Sequence, residues 1–299
     1  MRYHLLVVRY GELALKSSYI RKRFERILIK NISIALNREN ISYSISSDWG
    51  RIYIETDYIE ESIPVLKRIF GITSFSPAIK TNATIQDISN LATSFAEELI
   101  SREKKFALRV TRTGEHSFSS QDIAIKVGEE IRNKTRATVD LMNPDVEIYI
   151  EVREKYAYIF KEKILGPGGL PLGSQGTVLA YINNPIALLA TWYIMKRGCN
   201  VIFYTIDSMD LVRRFTEQWY IPNVSIIGGR KHLEELEELI KREECVAIIT
   251  SHTLYDHPRE TIEDIRRWKE RFKLPILTPL LILTRGEVID RANILGIPL

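Results

Sequence analysis

The amino-acid sequence predicts a chain of two characters, an α+β amino-terminal half followed by a doubly wound α/β domain with a parallel sheet. Three observations carry that prediction. Over residues 1–77, patterns of period 2 and period 3.6 come in the order strand, helix, strand, strand, helix, which is the order of a ferredoxin-like unit. A run of glycine and proline, Gly166, Pro167, Gly168, Gly169, Leu170, Pro171, Leu172 and Gly173, then marks the clearest boundary in the chain. Beyond it, short β-branched runs alternate with amphipathic stretches, as a parallel sheet covered on both faces requires.

Residues 3–9 read as a strand and 19–37 as an amphipathic helix. Its apolar stripe is Phe24, Ile27 and Leu28, which leaves Arg23, Arg26 and Lys30 together on another face. Strands at 41–46 and 51–56 meet at the turn signal Asp48, Trp49, Gly50. A helix at 59–70 and a strand at 71–77 lead out of this first domain. The second domain, 78–165, is α+β again: a helix at 85–101, a strand at 106–111, a helix at 120–134, and strands near Val139 and at 146–152 and 156–160. Between that strand and helix, Arg109 to Ser120 reads as a long polar connection with two arginines, a glycine and an aromatic. A connection of that length in a compact domain is expected to be functional or disordered. Ser119 or Ser120 suits the helix N-cap, and amides at such an end accept phosphate. After a linker at 166–176, the domain at 177–299 alternates strands at 178–182, 200–206, 224–227, 246–250 and 276–277 with helices at 186–197, 211–219, 231–242 and 260–272.

With 299 residues, 45% hydrophobic and 27% charged, the composition is that of a globular chain of two or three domains. Cys199 and Cys245 are the only cysteines and each opens an expected buried strand. They exclude a disulfide framework or a paired-cysteine metal site and suit a reducing cytoplasm. Arg9 and Glu12 interrupt the opening segment, and no run reaches the roughly 18 apolar residues of a spanning helix, so neither signal peptide nor membrane contact is expected. The net charge of +4 lies entirely in the first half. Residues 1–165 hold 26 basic against 22 acidic side chains, residues 166–299 hold 16 of each, and residues 1–30 alone hold 8 against 2. Such a cluster is the footprint of a phosphate-backbone partner, or a solvated basic helix face.

The linker does not form a nucleotide loop: Pro171 stands where a dinucleotide fingerprint needs glycine, and no GK[ST] follows. The segment GPGGLPLGSQG with the later KRGCNVIF resembles the tRNA 4-thiouridine sulfurtransferases, enzymes also linked to thiamine biosynthesis. FALRVTRTGEHSFSSQD and VDLMNPDVEIYIEV resemble that family's THUMP domain, and RYGELALKSSYIRKRFERILIKNI its amino-terminal ferredoxin-like domain. The resemblance covers nearly the whole chain. It implies two amino-terminal domains that grip the tRNA acceptor stem and a carboxyl-terminal PP-loop domain, adenine nucleotide alpha-hydrolase-like, that activates a uridine with ATP and Mg. A homodimer is compatible with it.

The sequence departs from that pattern at the PP-loop. The family's SGGxDS seats a phosphate on a helix N-terminus. The matching place here holds Asn183, Asn184, Pro185, Ile186 and Ala187, with no glycine pair, no serine, no acidic residue, and bulk at Ile186. The family's GESLGQVASQT loop is replaced by Ser251, His252, Thr253, Leu254, Tyr255, Asp256, His257, Pro258, Arg259, Glu260, Thr261. His252, Asp256 and His257 lack further ligands for a metal, so a solvent-exposed polar loop is expected there. The family's catalytic cysteine and rhodanese-like extension would lie past Leu299. The RNA-facing residue types are retained: Lys16, Arg21 and Arg23 in the first domain, and Arg109, Arg112, His116 and Ser119 in the second. Gly168, Gly169 and Gly173 are expected to serve the linker. The resulting expectation is a tRNA-binding protein without catalytic residues or cofactor of its own. The alternatives are an active ATP- and Mg-dependent thiolation enzyme working with a sulfur-carrier or catalytic protein partner, and a role unrelated to RNA.

Overall fold

The structure is a computed structural model that describes residues 1–11, 17–229 and 233–299. In the amino-terminal half the elements are β1 (Leu5–Arg9), α1 (Ser18–Arg38), β2 (Ser44–Asp48), β3 (Arg51–Glu55), α2 (Ile59–Leu66), β4 (Ser74–Asn82), α3 (Ile85–Glu97), β5 (Lys105–Arg112), α4 (Ser120–Thr135), β6 (Thr138–Val139), β7 (Val146–Val152), β8 (Tyr156–Phe160) and β9 (Ile164–Leu165). They are followed by β10 (Thr177–Ile182), α5 (Ile186–Met195), β11 (Asn200–Thr205), α6 (Met209–Gln218), β12 (Ser225–Gly228), α7 (Leu233–Arg242), β13 (Ile248–Ile249), α8 (Pro258–Phe272), β14 (Ile276–Leu277) and α9 (Arg285–Leu295). The chain forms two compact units. One holds Met1–Arg9, Asn40–Pro64 and Ser74–Leu165, the other Tyr10–Glu39, Val65–Thr73 and Gly166–Leu299. No helix among the described residues is long and apolar enough to cross a membrane.

The first unit is built on one mixed sheet in the order β2-β3-β1-β4-β8-β7-β5-β6, with β9 also on β4. β4 joins its two halves by changing partner along its length: Ser74 to Ala78 pair antiparallel with β1, and Ile79 to Asn82 pair with β8. That continuity explains why the strand expected at 71–77 starts and ends later. Nine residues are needed to serve two neighbours, and pairing, not local propensity, sets the ends. β5 runs parallel to β7 from Phe106 opposite Val146 to Arg112 opposite Val152. The strand expected at 106–111 therefore runs on through Arg112, the first part of the expected polar connection being strand. α3 and α4 cover one face of this half through Ile88, Ala92, Phe95, Ile123, Val127 and Ile131, packed on Phe106, Ile148, Ile150 and Ile159. Ser119 caps α4 in a reciprocal box with Asp122.

The second unit carries a parallel sheet in the order β12-β11-β10-β13-β14. The order reverses between β10 and β13, and a crevice opens at the carboxyl ends of strands flanking such a point. α5 is apolar all round and buries Ala187, Leu188, Leu189, Ala190, Trp192 and Met195 at the centre of the unit. α1 belongs here too, with Phe24, Leu28, Ile32, Ala35 and Leu36 buried at helical spacing. Its buried Asn31 donates from Nδ2 to the Leu172 carbonyl at 2.9 Å, so the one polar group on that face is satisfied. α9 and β9 were not expected from the sequence.

The glycine linker is fixed to its own unit. Gly168, Gly169 and Gly173 take φ of 70°, 75° and 87°. The Gly168 amide donates to the Ile72 carbonyl at 2.8 Å and the Gly173 amide to the Gly198 carbonyl at 3.0 Å. A Cβ on Gly169 would stand 2.0 Å from the Lys196 carbonyl oxygen, whereas on Gly168 its nearest neighbour is 3.9 Å away. Gly168→Ala should therefore cost only the left-handed strain, about 1 kcal/mol. Gly169→Ala should cost about 3 kcal/mol or more, because backbone must move. Urea unfolding midpoints of the two variants, side by side, check the difference.

Candidate functional site

Strand alternation creates the chemistry of the first unit. In β7, Ile148, Ile150 and Val152 go into the helix-covered core, so Glu147, Tyr149 and Glu151 stand on the opposite face. Glu151 is only 5% exposed and is surrounded by guanidinium groups. Arg9 of β1 donates to it from Nε and an Nη at 3.3 Å each, Arg51 of β3 donates from Nε at 2.6 Å, and an Nη of Arg153 lies 3.9 Å away. Arg9 also donates to Ser76 Oγ at 3.0 Å and lies 4.6 Å above the Phe160 ring. Burial lowers the pKa of Arg9, Glu151 opposes that, and Arg51 adds to the lowering. Lys163 sits 4.6 Å over the Tyr149 ring and is lowered by burial and then by the Arg9 charge. Three guanidiniums on one carboxylate leave a positive excess on this face, beside the stacked rings of Tyr53 and Tyr158 at 4.8 Å.

The expected RNA-facing residues fall into separate places. Arg109, Arg112, His116 and Ser119 all lie in the first unit. Arg109 donates from Nε to Glu147 at 2.7 Å and from an Nη to the Leu141 carbonyl at 2.9 Å. The Tyr149 hydroxyl and then Arg109 hold Glu147 below the usual carboxylate range. Arg112 donates to the Gly114 carbonyl at 2.8 Å and meets His116 Nδ1 at 3.3 Å. His116 Nε2 is 3.0 Å from the Arg153 carbonyl, which can only accept, so Nε2 carries the proton and Nδ1 accepts from Arg112. The Ser119 hydroxyl is engaged with Asp122, at 2.9 Å as donor and 3.1 Å as acceptor from its amide. Arg21 and Arg23 lie on α1 in the second unit, Arg23 exposed and Arg21 half-buried, and Lys16 lies outside the described residues. Sequence reading missed the Glu151 cluster. Its members stand on separate strands, and the only local sign was a carboxylate on the alternate face of an otherwise strongly β-forming run.

In the second unit, Asn183, Asn184 and Pro185 lie between β10 and α5, and Ile186 and Ala187 open α5. Asn184 Oδ1 accepts from the Ala187 amide at 3.1 Å, and its Nδ2 donates to Ser251 Oγ at 3.0 Å, which in turn donates to Asn183 Oδ1 at 3.3 Å. Pro185 brings no N–H, Ala187 is buried and Ile186 packs on the core. A cleft of about 470 Å³ opens beside them, walled by Tyr181 and Trp268 and by Thr250, His252, Thr253 and Asp264. His252 is hydrogen-bonded at both ring nitrogens, to Thr250 Oγ1 at 2.7 Å and to Asp264 at 2.8 Å. The loop expected to lie in solvent is thus half-buried from Ser251 to Tyr255, because it lines this cleft. Asp256 pairs with Arg285. Among the described residues no group of three histidine, cysteine, aspartate or glutamate side chains is placed to hold a metal. Burial pushes the Cys199 thiol up and the Cys245 thiol up to about 11, so neither is a ready thiolate.

Residues 5–76 match the model of the ThiI ferredoxin-like domain and residues 82–162 that of the THUMP domain. A probable tRNA sulfurtransferase of Methanobrevibacter smithii is 40% identical over 337 aligned positions, spanning 99% of this chain and 87% of that protein. The chain belongs to the tRNA sulfurtransferase family. Since the aligned span exceeds the 299 residues of this chain, that relative carries residues within it that have no counterpart here. PH1313 from Pyrococcus horikoshii Ot3 is 32% identical with a TM-score of 0.84, over 98% of this chain and 99% of that one. A 4-thiouridine synthetase solved as an RNA complex with bound ATP shares the fold at 22% identity, with a TM-score of 0.82 over 99% and 85% of the two chains. Ferredoxin-like and THUMP domains followed by a parallel-sheet domain are therefore the architecture of this tRNA sulfurtransferase family member.

The loop that receives Arg109 depends on one titrating group. The Asn143 amide, then Lys105 at 3.0 Å and the Met142 amide hold Asp140 down to about 2. A carboxyl depressed by folding stabilises above its unfolded pKa and ceases to do so as pH falls through the folded one. Asp140→Asn should therefore lower the urea midpoint at neutral pH, with the gap to the parent closing between about pH 4 and pH 2. A constant gap across that window would show that Asp140 does not hold the loop by charge.

Proposed function

We propose that this member of the tRNA sulfurtransferase family binds tRNA through its ferredoxin-like and THUMP domains and has no ATP pyrophosphatase step of its own. The RNA half of this reading is supported by the naming of its relatives as tRNA sulfurtransferases, by the RNA complex of a chain with the same fold, and by the cation-rich sheet face around Glu151. The ATP half rests on one observation. The Ala187 amide at the α5 N-terminus, where a phosphate would sit, is met by Asn184 Oδ1, and Pro185 has no amide hydrogen to give. ATP does not fit this set of residues. Cys199 is half-buried and Cys245 buried, each with its thiol pushed up, so neither supports a sulfur-carrier reading. The names of the curated relatives favour a second reading, an ATP- and Mg-dependent thiolation enzyme using unconventional residues.

Calorimetric titration with ATP and Mg separates the two. No binding is expected; micromolar binding, with pyrophosphate or AMP released once tRNA is added, would establish the second reading instead. For tRNA, filter binding should give an affinity that falls steeply with salt, because phosphate contacts release counterions. Arg112→Ala should weaken binding and flatten the slope of log K against log salt by about 1. An affinity indifferent to salt would count against the RNA assignment.

A further inference from the structure

The guanidiniums around Glu151 outnumber the carboxylates that could balance them, in a place where water screens them poorly. We propose that this face seats one compact phosphate dianion, free or at the end of a chain, against Arg9, Arg51 and Lys163. The proposal does not rest on the RNA reading, since a free ion satisfies it.

The charge count carries the inference. The side chains of Arg9, Arg51 and Arg153 are 11%, 23% and 7% exposed, and all three share the buried Glu151. Three cations on one carboxylate leave an excess of two positive charges. Other carboxylates of this face are committed elsewhere: Glu147 to Arg109 and the Tyr149 hydroxyl, Glu55 to Lys80 at 3.5 Å, and an Asp48 oxygen to the Trp49 amide at 2.6 Å. Glu154 and Glu162 are exposed to solvent. Charge withdrawn from water carries a desolvation cost that one carboxylate divided among three guanidiniums does not offset, and an anion from solution offsets it.

Unspent donors mark where that anion meets the protein. Arg51 gives Nε to Glu151 and one Nη to the Gly50 carbonyl, and its other Nη has no partner among the described residues. Lys163 stands exposed over the Tyr149 ring, and no carboxylate pairs with it among the described residues. Burial first, and then the charges of Arg9 and Arg51, hold its ammonium below the usual lysine range, which places it in the field of the same cluster. An anion bound between these groups relieves that repulsion.

The excess also selects the class. A guanidinium fork matches two oxygens of a tetrahedral oxyanion, and a deficit of two negative charges matches free phosphate or a phosphate monoester. A single carboxylate answers half of it. A phosphodiester also carries one charge, and its flanking sugars keep it from guanidiniums this recessed, so the backbone of a duplex is not the ligand. Free phosphate and the terminal phosphate of an RNA chain present the same group.

The test uses the full chain at constant ionic strength and about pH 8, where a phosphate monoester is a dianion. Inorganic phosphate, phenyl phosphate and dimethyl phosphate are titrated separately by calorimetry. Saturable binding of the first two is expected, with the singly charged diester at least about tenfold weaker. Lys163→Ala changes an exposed side chain outside the Glu151 contacts and should weaken phosphate by about tenfold, the loss of one charge-assisted hydrogen bond. Arg51→Gln should weaken it at least as much, with circular dichroism showing that the variant is folded. Filter binding of tRNA with and without its 5′ phosphate then separates the sources. Weaker binding after dephosphorylation makes the RNA end the source of the group, and equal binding makes it the free ion. Absence of binding by both phosphate and phenyl phosphate at millimolar concentration overturns the proposal. So does a diester that binds as well as the dianions, or phosphate binding indifferent to both substitutions. Failure of tRNA to bind while inorganic phosphate does would remove the RNA reading and leave this seat standing.

Discussion

One buried carboxylate organises the amino-terminal unit. Glu151 belongs to the THUMP half of the sheet, yet two of the guanidiniums around it, Arg9 and Arg51, come from the ferredoxin-like half. Buried alone, the carboxylate would carry the desolvation cost of an ion, and stripping one partner from such a pair typically costs 3–5 kcal/mol, on the order of half a domain's stability. The arrangement fixes β1, β3 and β7 laterally, just where β4 changes partner from β1 to β8. It also reaches the β2-β3 turn: Arg153 donates to the Trp49 carbonyl and Arg51 to the Gly50 carbonyl at 2.6 Å. Apolar packing alone would hold these strands as firmly but would not leave the face positively charged.

In the carboxyl-terminal unit, stability and cleft have different sources. The stability of the unit lies in α5, buried on every side, and in the register of β10 with β11 and β13. The crevice at the strand ends follows from the strand order alone. Beside that crevice Asn184 Oδ1 accepts the Ala187 amide at the start of α5, a contact of the kind worth about 1 kcal/mol to a helix. Stability of the fold therefore places few demands on the residues that line the cleft.

What the sequence made legible follows the range of the interactions involved. Helices with strong local signals, such as Ser119 with Asp122 opening α4, were placed to within a residue or so. α9 carried an equally local signal, Thr284 with Glu287, but its polar face and sparse core contacts, Val288 and Ala292, hid it among turn-like residues. Where partners are distant, local pattern failed. The strand expected to end at Thr111 runs on to Arg112 because β7 runs alongside it. Glu151 is only 5% exposed, enclosed by guanidiniums that arrive from other strands. In the cleft, the histidines were visible in the sequence, but the Thr250, His252 and Asp264 chain was not, since Asp264 arrives from α8.

A constraint common to both units bears on how RNA is met. Helix N-termini are ready-made phosphate seats, and four of those here are filled. Thr84 caps α3, Ser119 caps α4, Asn184 serves α5 and Thr284 caps α9, each side chain accepting an amide of the first turn. Side-chain cations offer a second kind of contact. The guanidiniums around Glu151 are too buried to touch a backbone, but they set a positive potential across the sheet face, and exposed lysines stand on it: Lys155, Lys163, and Lys80 lying 4.1 Å over the Tyr156 ring. A face built this way, with charge fixed below and mobile ammonium groups above aromatic rings, selects for a polyanion by charge and shape rather than by reading bases. That suits a partner recognised as a folded RNA rather than as a sequence.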